Sequence, residues 1–150
     1  MGAALQDLPL AIFSTLAPIG AGAFIALFIA FLKRDYTSEE LKKVDTFTIV
    51  PILVAVVGLC ASFAHLATPG NAMNVASTVG STPMANEITV FGVFMVLAVI
   101  YWICGMAGGL RGGGRKVFSG ILAVGAVCVA CAIGGAYLLP TIPDLSLIHI

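Results

Sequence analysis

Charge is what this chain has least of. Of its 150 residues, seven are Lys or Arg and seven are Asp or Glu, so only 9% carry a charge. A soluble domain carries about 25%, and the polar surface here is too small to cover a water-soluble globule. Zero net charge and the lack of a basic array speak against nucleic acid as a partner. Histidine is scarcer still, with two residues, His65 and His149. The first seven residues, MGAALQD, lack the basic start of a secretory signal. Cys60, Cys104, Cys128 and Cys131 all fall inside apolar runs, where a thiol behaves as a small hydrophobe. Cys128 and Cys131 have CxxC spacing, but no second pair or histidine stands near them to suggest a metal or redox centre.

What is present is apolar length. Hydrophobic residues make up 60% of the sequence and the mean hydropathy is +1.11. Four runs approach the roughly 20 residues that a membrane span needs: about 8–32, 47–66, 88–106 and 117–139. The pattern predicts an all-α integral membrane protein with four transmembrane helices, organised as one transmembrane domain over residues 1–150.

Pro18 in the first run predicts a kink, and Gly20 and Gly22 predict close approach of a neighbouring helix. Residues 33–46, KRDYTSEELKKVDT, form the one strongly polar stretch. Thr37 and Glu40 have the spacing of a capping box, with Leu41 and Val44 on an apolar edge. This stretch reads as a short surface helix with a solvated charged face, or one that docks a partner. Pro51 falls in the first turn of the second run, where a missing N–H is tolerated. Asn86 is placed to cap the third run, and Tyr101 and Trp102 near its far end suit an interfacial aromatic belt. Residues 108–116, GGLRGGGRK, lack the spacing of a phosphate loop and read as a flexible turn between spans.

All seven basic residues fall in two connections on one side: Lys33, Arg34, Lys42 and Lys43 in one, Arg111, Arg115 and Lys116 in the other. The positive-inside rule places both connections in the cytoplasm and both termini outside. The last six residues, LSLIHI, match the translation of a transposase adapter used in DNA library preparation. That reading makes residues 145–150 a sequencing artefact, implies a natural protein that continues differently after Asp144, and removes His149 from the argument.

The stretch from Ala61 to Glu87 contains no Lys or Arg and carries His65 and Glu87 at the ends of two apolar runs. An ionisable group near membrane depth is a functional candidate by default. Imidazole titrates near neutral pH and accepts a proton readily, while a carboxylate orients a substrate or relays the proton. The plainer alternatives are an interfacial histidine with its tip in water and a glutamate that complements a helix dipole.

The segment ASFAHLATPGNA, followed by VGSTPMANEI, resembles the membrane-anchor subunit of anaerobic dimethyl sulfoxide reductases. The resemblance rests on His65, Leu66 and Pro69, then Gly80, Ser81, Asn86, Glu87 and Ile88. Leu8 to Phe13 and Gly20 to Phe24 add to it, and it covers most of residues 8–100. It implies an anchor of about eight transmembrane helices, of which these four would be the first half. It also implies a site for menaquinol at His65 and Glu87, with no haem or metal in this chain. The implied partners are an iron–sulfur electron-transfer subunit and a molybdopterin catalytic subunit, in the bacterial cytoplasmic membrane. Two other readings are a structural anchor without its own quinol site and a fragment of a secondary transporter. The latter calls for paired broken helices, and Pro18 has no counterpart in the third run.

Overall fold

The computed structural model describes residues 8–65, 80–81 and 83–136. Among them the protein is helical, with no strand. Helix α1 is Leu8–Lys33, α2 is Ser38–Phe47, α3 is Ile49–His65, α4 is Pro83–Met106 and α5 is Gly112–Ala136. Four segments are long and apolar enough to cross a membrane: Ala11–Lys33, Ser38–Ala61, Ala85–Met106 and Gly112–Gly135. In hydrocarbon every backbone N–H and C=O must find its partner within the protein, and a helix meets that demand within one segment.

Helices α2 and α3 follow one another through a single residue, Thr48, whose φ of −62° and ψ of −19° are helical. Pro51 has no N–H to offer the carbonyl four residues back, which is where the two helices part. The polar stretch is therefore an extension of the second span at its basic end. Its capping box forms as the sequence predicts: the Glu40 N–H donates to the Thr37 hydroxyl, and the Thr37 N–H donates to the Glu40 carboxylate at 2.9 Å.

Packing is unequal around the bundle. Helix α1 lies along both α3 and α5, α4 lies along α5, and α3 and α4 touch only marginally. The α1–α3 contact is made by small residues. A Cβ on Gly20 would stand 2.7 Å from the Pro51 carbonyl oxygen and 2.9 Å from the Ala55 Cβ, and one on Gly58 would stand 3.3 Å from Leu16. Gly22 faces open space, so only Gly20 of the predicted pair brings the helices together. The interior is a column of aromatic rings in edge-to-face contact: Phe13 on Phe91, Phe24 on Phe94, Phe24 on Tyr101, and Tyr101 on Phe118, with centroids 5.5–6.4 Å apart. Such pairs add about 0.5–1.5 kcal/mol each beyond the area they bury.

Tyr101 departs from the aromatic-belt expectation. It is 0% exposed and sits inside the column, while Trp102 is partly buried against the core. The glycine-rich segment also departs from expectation. Helix α4 ends in a Schellman motif, with Gly108 left-handed (φ +69°), its N–H on the Gly105 carbonyl, and the Gly109 N–H on the Cys104 carbonyl. Helix α5 then begins at Gly112, so Arg115 and Lys116 are helical and the turn is shorter than residues 108–116.

Candidate functional site

Glu87 stands on the buried stripe of α4. At helical spacing this face presents Glu87, Phe91, Phe94, Ala98 and Tyr101, all buried, and then Gly105. Helix α4 starts at Pro83, five residues before the predicted start of the span; proline suits the first helical position because its missing N–H would be unpaired there anyway. Asn86 is therefore inside the helix and does not cap it from outside. Its Oδ1 instead accepts the N–H of Gly80 at 2.7 Å, closing the left-handed turn at Gly80 (φ +86°) onto the helix. Glu87 becomes the fifth helical residue and is 8% exposed, with no ion pair among the described residues. Dipole stabilisation fades beyond the first turn, so helix-end charge compensation accounts poorly for its place. A carboxyl group buried there without a counter-charge among the described residues is suited to exchanging a proton or hydrogen-bonding a polar head.

His65 is the last residue of α3, at the same end of the bundle as the start of α4. Its side chain lies outside the described residues, as do Leu66, Pro69 and His149. The helices that carry His65 and Glu87 are joined to the bundle chiefly through α1 and α5 respectively. The long stretch of sequence between them joins two helices whose mutual contact is slight.

At the opposite end lies a buried charged cluster that motif and composition do not single out. Asp45 (4% exposed) and Arg115 (5% exposed) form a two-pronged ion pair; one prong joins Nη1 to Oδ1, and the other spans 2.9 Å from Nη2 to Oδ2. The same guanidinium donates to the Leu110 carbonyl through Nε at 3.3 Å and Nη2 at 3.2 Å, and lies 5.7 Å from the centre of the Phe31 ring. The Tyr101 hydroxyl is buried beside it, within its electrostatic reach but with no well-aligned hydrogen bond among the described residues. The sequence puts Asp45 in a stretch expected to be a solvated face, yet it shares spacing with Leu41, Val44 and Thr48 on the inward edge of α2. Arg115 likewise begins the stripe Ser119, Leu122, Ala126 and Val129. A charge in register with a buried stripe is the signal by which both could be found.

Around this core, Lys116 pairs with Asp35 at 3.0 Å and Arg34 with Glu40 at 2.9 Å. Arg34 also lies over the Tyr36 ring at 4.3 Å, and Tyr36 and Glu40 together hold its guanidinium above the ordinary value. Both basic connections thus meet at one end of the molecule, as their one-sided placement predicts.

A family model described as DMSO reductase anchor subunit (DmsC) matches residues 1–144. The protein belongs to this family. The C subunit of the anaerobic dimethyl sulfoxide reductase of Escherichia coli strain K12 is 32% identical over 106 residues, 71% of this sequence and 37% of that protein. The corresponding C subunit of Haemophilus influenzae is 32% identical over 108 residues, 72% of this sequence and 38% of that protein. The YnfH subunit of an anaerobic dimethyl sulfoxide reductase of Escherichia coli is 27% identical over a similar stretch. The 150 residues therefore span less than two-fifths of the length of these curated relatives. No solved structure matches. As a member of the DMSO reductase anchor-subunit family with four span-length helices among the described residues, this is a multi-pass membrane protein.

Proposed function

We propose that this anchor oxidises menaquinol at a site that includes His65 and Glu87, and passes the electrons to an iron–sulfur subunit of a molybdenum-dependent reductase in anaerobic respiration. Family membership supports the respiratory role, and the observation that carries the site is Glu87, buried and without an ion partner among the described residues, in the second turn of α4. Residues 1–150 act as one transmembrane domain within a bundle of about eight spans, in the bacterial cytoplasmic membrane. The basic connections face the cytoplasm, and His65 and Glu87 face the opposite side.

Quinol enters from the bilayer between α3 and α4, whose contact is slight. His65 accepts the proton of one hydroxyl, and Glu87 holds the second hydroxyl or takes its proton outward. Loss of two protons and two electrons leaves the quinone. The electrons depart one at a time to the docked iron–sulfur protein. In the assembled complex, His65→Ala and Glu87→Gln are each expected to weaken binding of a quinol analogue and to lower quinol-dependent reduction by at least about tenfold, in line with loss of a general base. Electron delivery from an artificial donor to the catalytic subunit stays unchanged. Wild-type quinol turnover in both variants would leave the protein as a structural anchor.

A further inference from the structure

We infer that the groove at the basic end between α1 and the α2–α3 helix is a binding site for an anionic glycerophospholipid. The Gly20–Pro51 contact closes α1 against α3. Toward the basic end the two helices leave a groove of about 310 Å³ between Ala23 and Leu27 on one side and Val44, Phe47 and Pro51 on the other, with Lys43 also on its wall. Ligand sites start at roughly 300 Å³.

Three features select the occupant. The groove is almost wholly apolar, and its one hydroxyl, Thr48, already donates to the Val44 carbonyl at 2.7 Å. Nothing inside it would hydrogen-bond a polar ring, whereas an acyl chain needs no partner. Its deep end lies near the middle of the bilayer. Ala23 lies ten residues before Lys33, which is about 15 Å along a helix, or half of a roughly 30 Å hydrocarbon core. The third feature is charge. Arg34, Arg115 and Lys116 each have a carboxylate partner; Lys33, Lys42, Lys43 and Arg111 make no ion pair among the described residues, and of these four Lys43 stands on the groove wall. An ammonium group at the mouth of an apolar groove complements a phosphate headgroup whose acyl chain lies in that groove. Phe47, 69% exposed, stands on the same wall.

The test uses the whole protein in neutral detergent, titrated with phosphatidylglycerol and with phosphatidylcholine of the same acyl chains, the bound lipid being counted by native mass spectrometry. Wild type should retain phosphatidylglycerol preferentially. Lys43→Gln should lower that preference about fivefold. Ala23→Phe, at an exposed position facing the groove, should lower retention of both lipids with the charge intact. Lys42→Gln, beside the groove but not on its wall, should change little. Equal retention of the two lipids by wild type would overturn the proposal. So would equal losses in Lys42→Gln and Lys43→Gln with none in Ala23→Phe, the signature of diffuse surface attraction. Displacement of bound phosphatidylglycerol by a quinol analogue at equal concentration would assign the groove to a different ligand and overturn it as well.

Discussion

Asp45 and Arg115 set the terms at the scale of single residues. Both are desolvated, so each depends on the other: the two-pronged geometry and the Leu110 carbonyl satisfy the guanidinium, and Gly105 leaves the room that the carboxylate occupies. Removing one partner of a buried pair strands the other charge and costs about 3–5 kcal/mol, whereas replacing both with apolar residues of similar size is often nearly neutral. Asp45→Ala and Arg115→Met should each lower the midpoint of unfolding in mixed micelles strongly. Asp45→Leu combined with Arg115→Met should recover most of the loss. Equal, additive losses in the single and double variants would show that the pair does not act as a unit. Glu87 is the contrasting residue. It is buried without a counter-charge among the described residues, so Glu87→Gln is expected to leave the same midpoint unchanged or raised while impairing quinol turnover. A carboxylate buried without a counter-charge is a candidate for function; one neutralised by a fork of hydrogen bonds belongs to the fold.

At the scale of elements, α1 and α3 are held by backbone proximity, because lipid offers no hydrophobic drive to bring two apolar helices together. Gly20 carries that contact, and its neighbour Gly22 does not. Gly20→Leu should separate the helices and lower the unfolding midpoint by an amount typical of overpacking, about 1–3 kcal/mol, while Gly22→Leu should be tolerated. Similar midpoints for the two variants would refute this division. Apolar run length makes the existence of four span-length helices legible, and the Thr37–Glu40 spacing foretells a cap. Helix starts are less legible. Pro83 and Gly112 begin α4 and α5 five residues before the apolar runs do, because proline suits the first helical position and an ion pair anchors Arg115. Three glycines before Arg115 suggest a turn, yet one turn of helix survives on them once the guanidinium is anchored to Asp45. The inward side of Tyr101 is equally hidden. Its amphipathic ring suits an interface as well as a core, and only the facing rings of Phe24 and Phe118 decide between them.

At the scale of the molecule, the two ends of the bundle differ in kind. One end gathers the seven basic residues, three ion pairs and the capped start of α2, and it is stiffened by contacts between segments up to 81 residues apart in sequence. The other end carries Glu87, the close of α3 at His65 and the slight α3–α4 seam. A rigid charged end and a looser, nearly uncharged one suit an anchor that admits an apolar substrate at one leaflet while staying fixed at the other. His65 and Glu87 are legible as a candidate site mainly through motif resemblance, since burial of a lone carboxylate cannot be read from hydropathy. The asymmetry itself is testable because Arg and Lys resist translocation and so fix orientation. With Cys60, Cys104, Cys128 and Cys131 replaced by alanine, Ser81→Cys and Glu39→Cys place single thiols at exposed positions at the two ends without altering the count of basic residues. A membrane-impermeant maleimide should label Ser81→Cys in intact cells and Glu39→Cys only after the membrane is broken. The reverse pattern would put His65 and Glu87 on the cytoplasmic side, and a quinol site there would release its protons inward, contributing nothing to the transmembrane gradient.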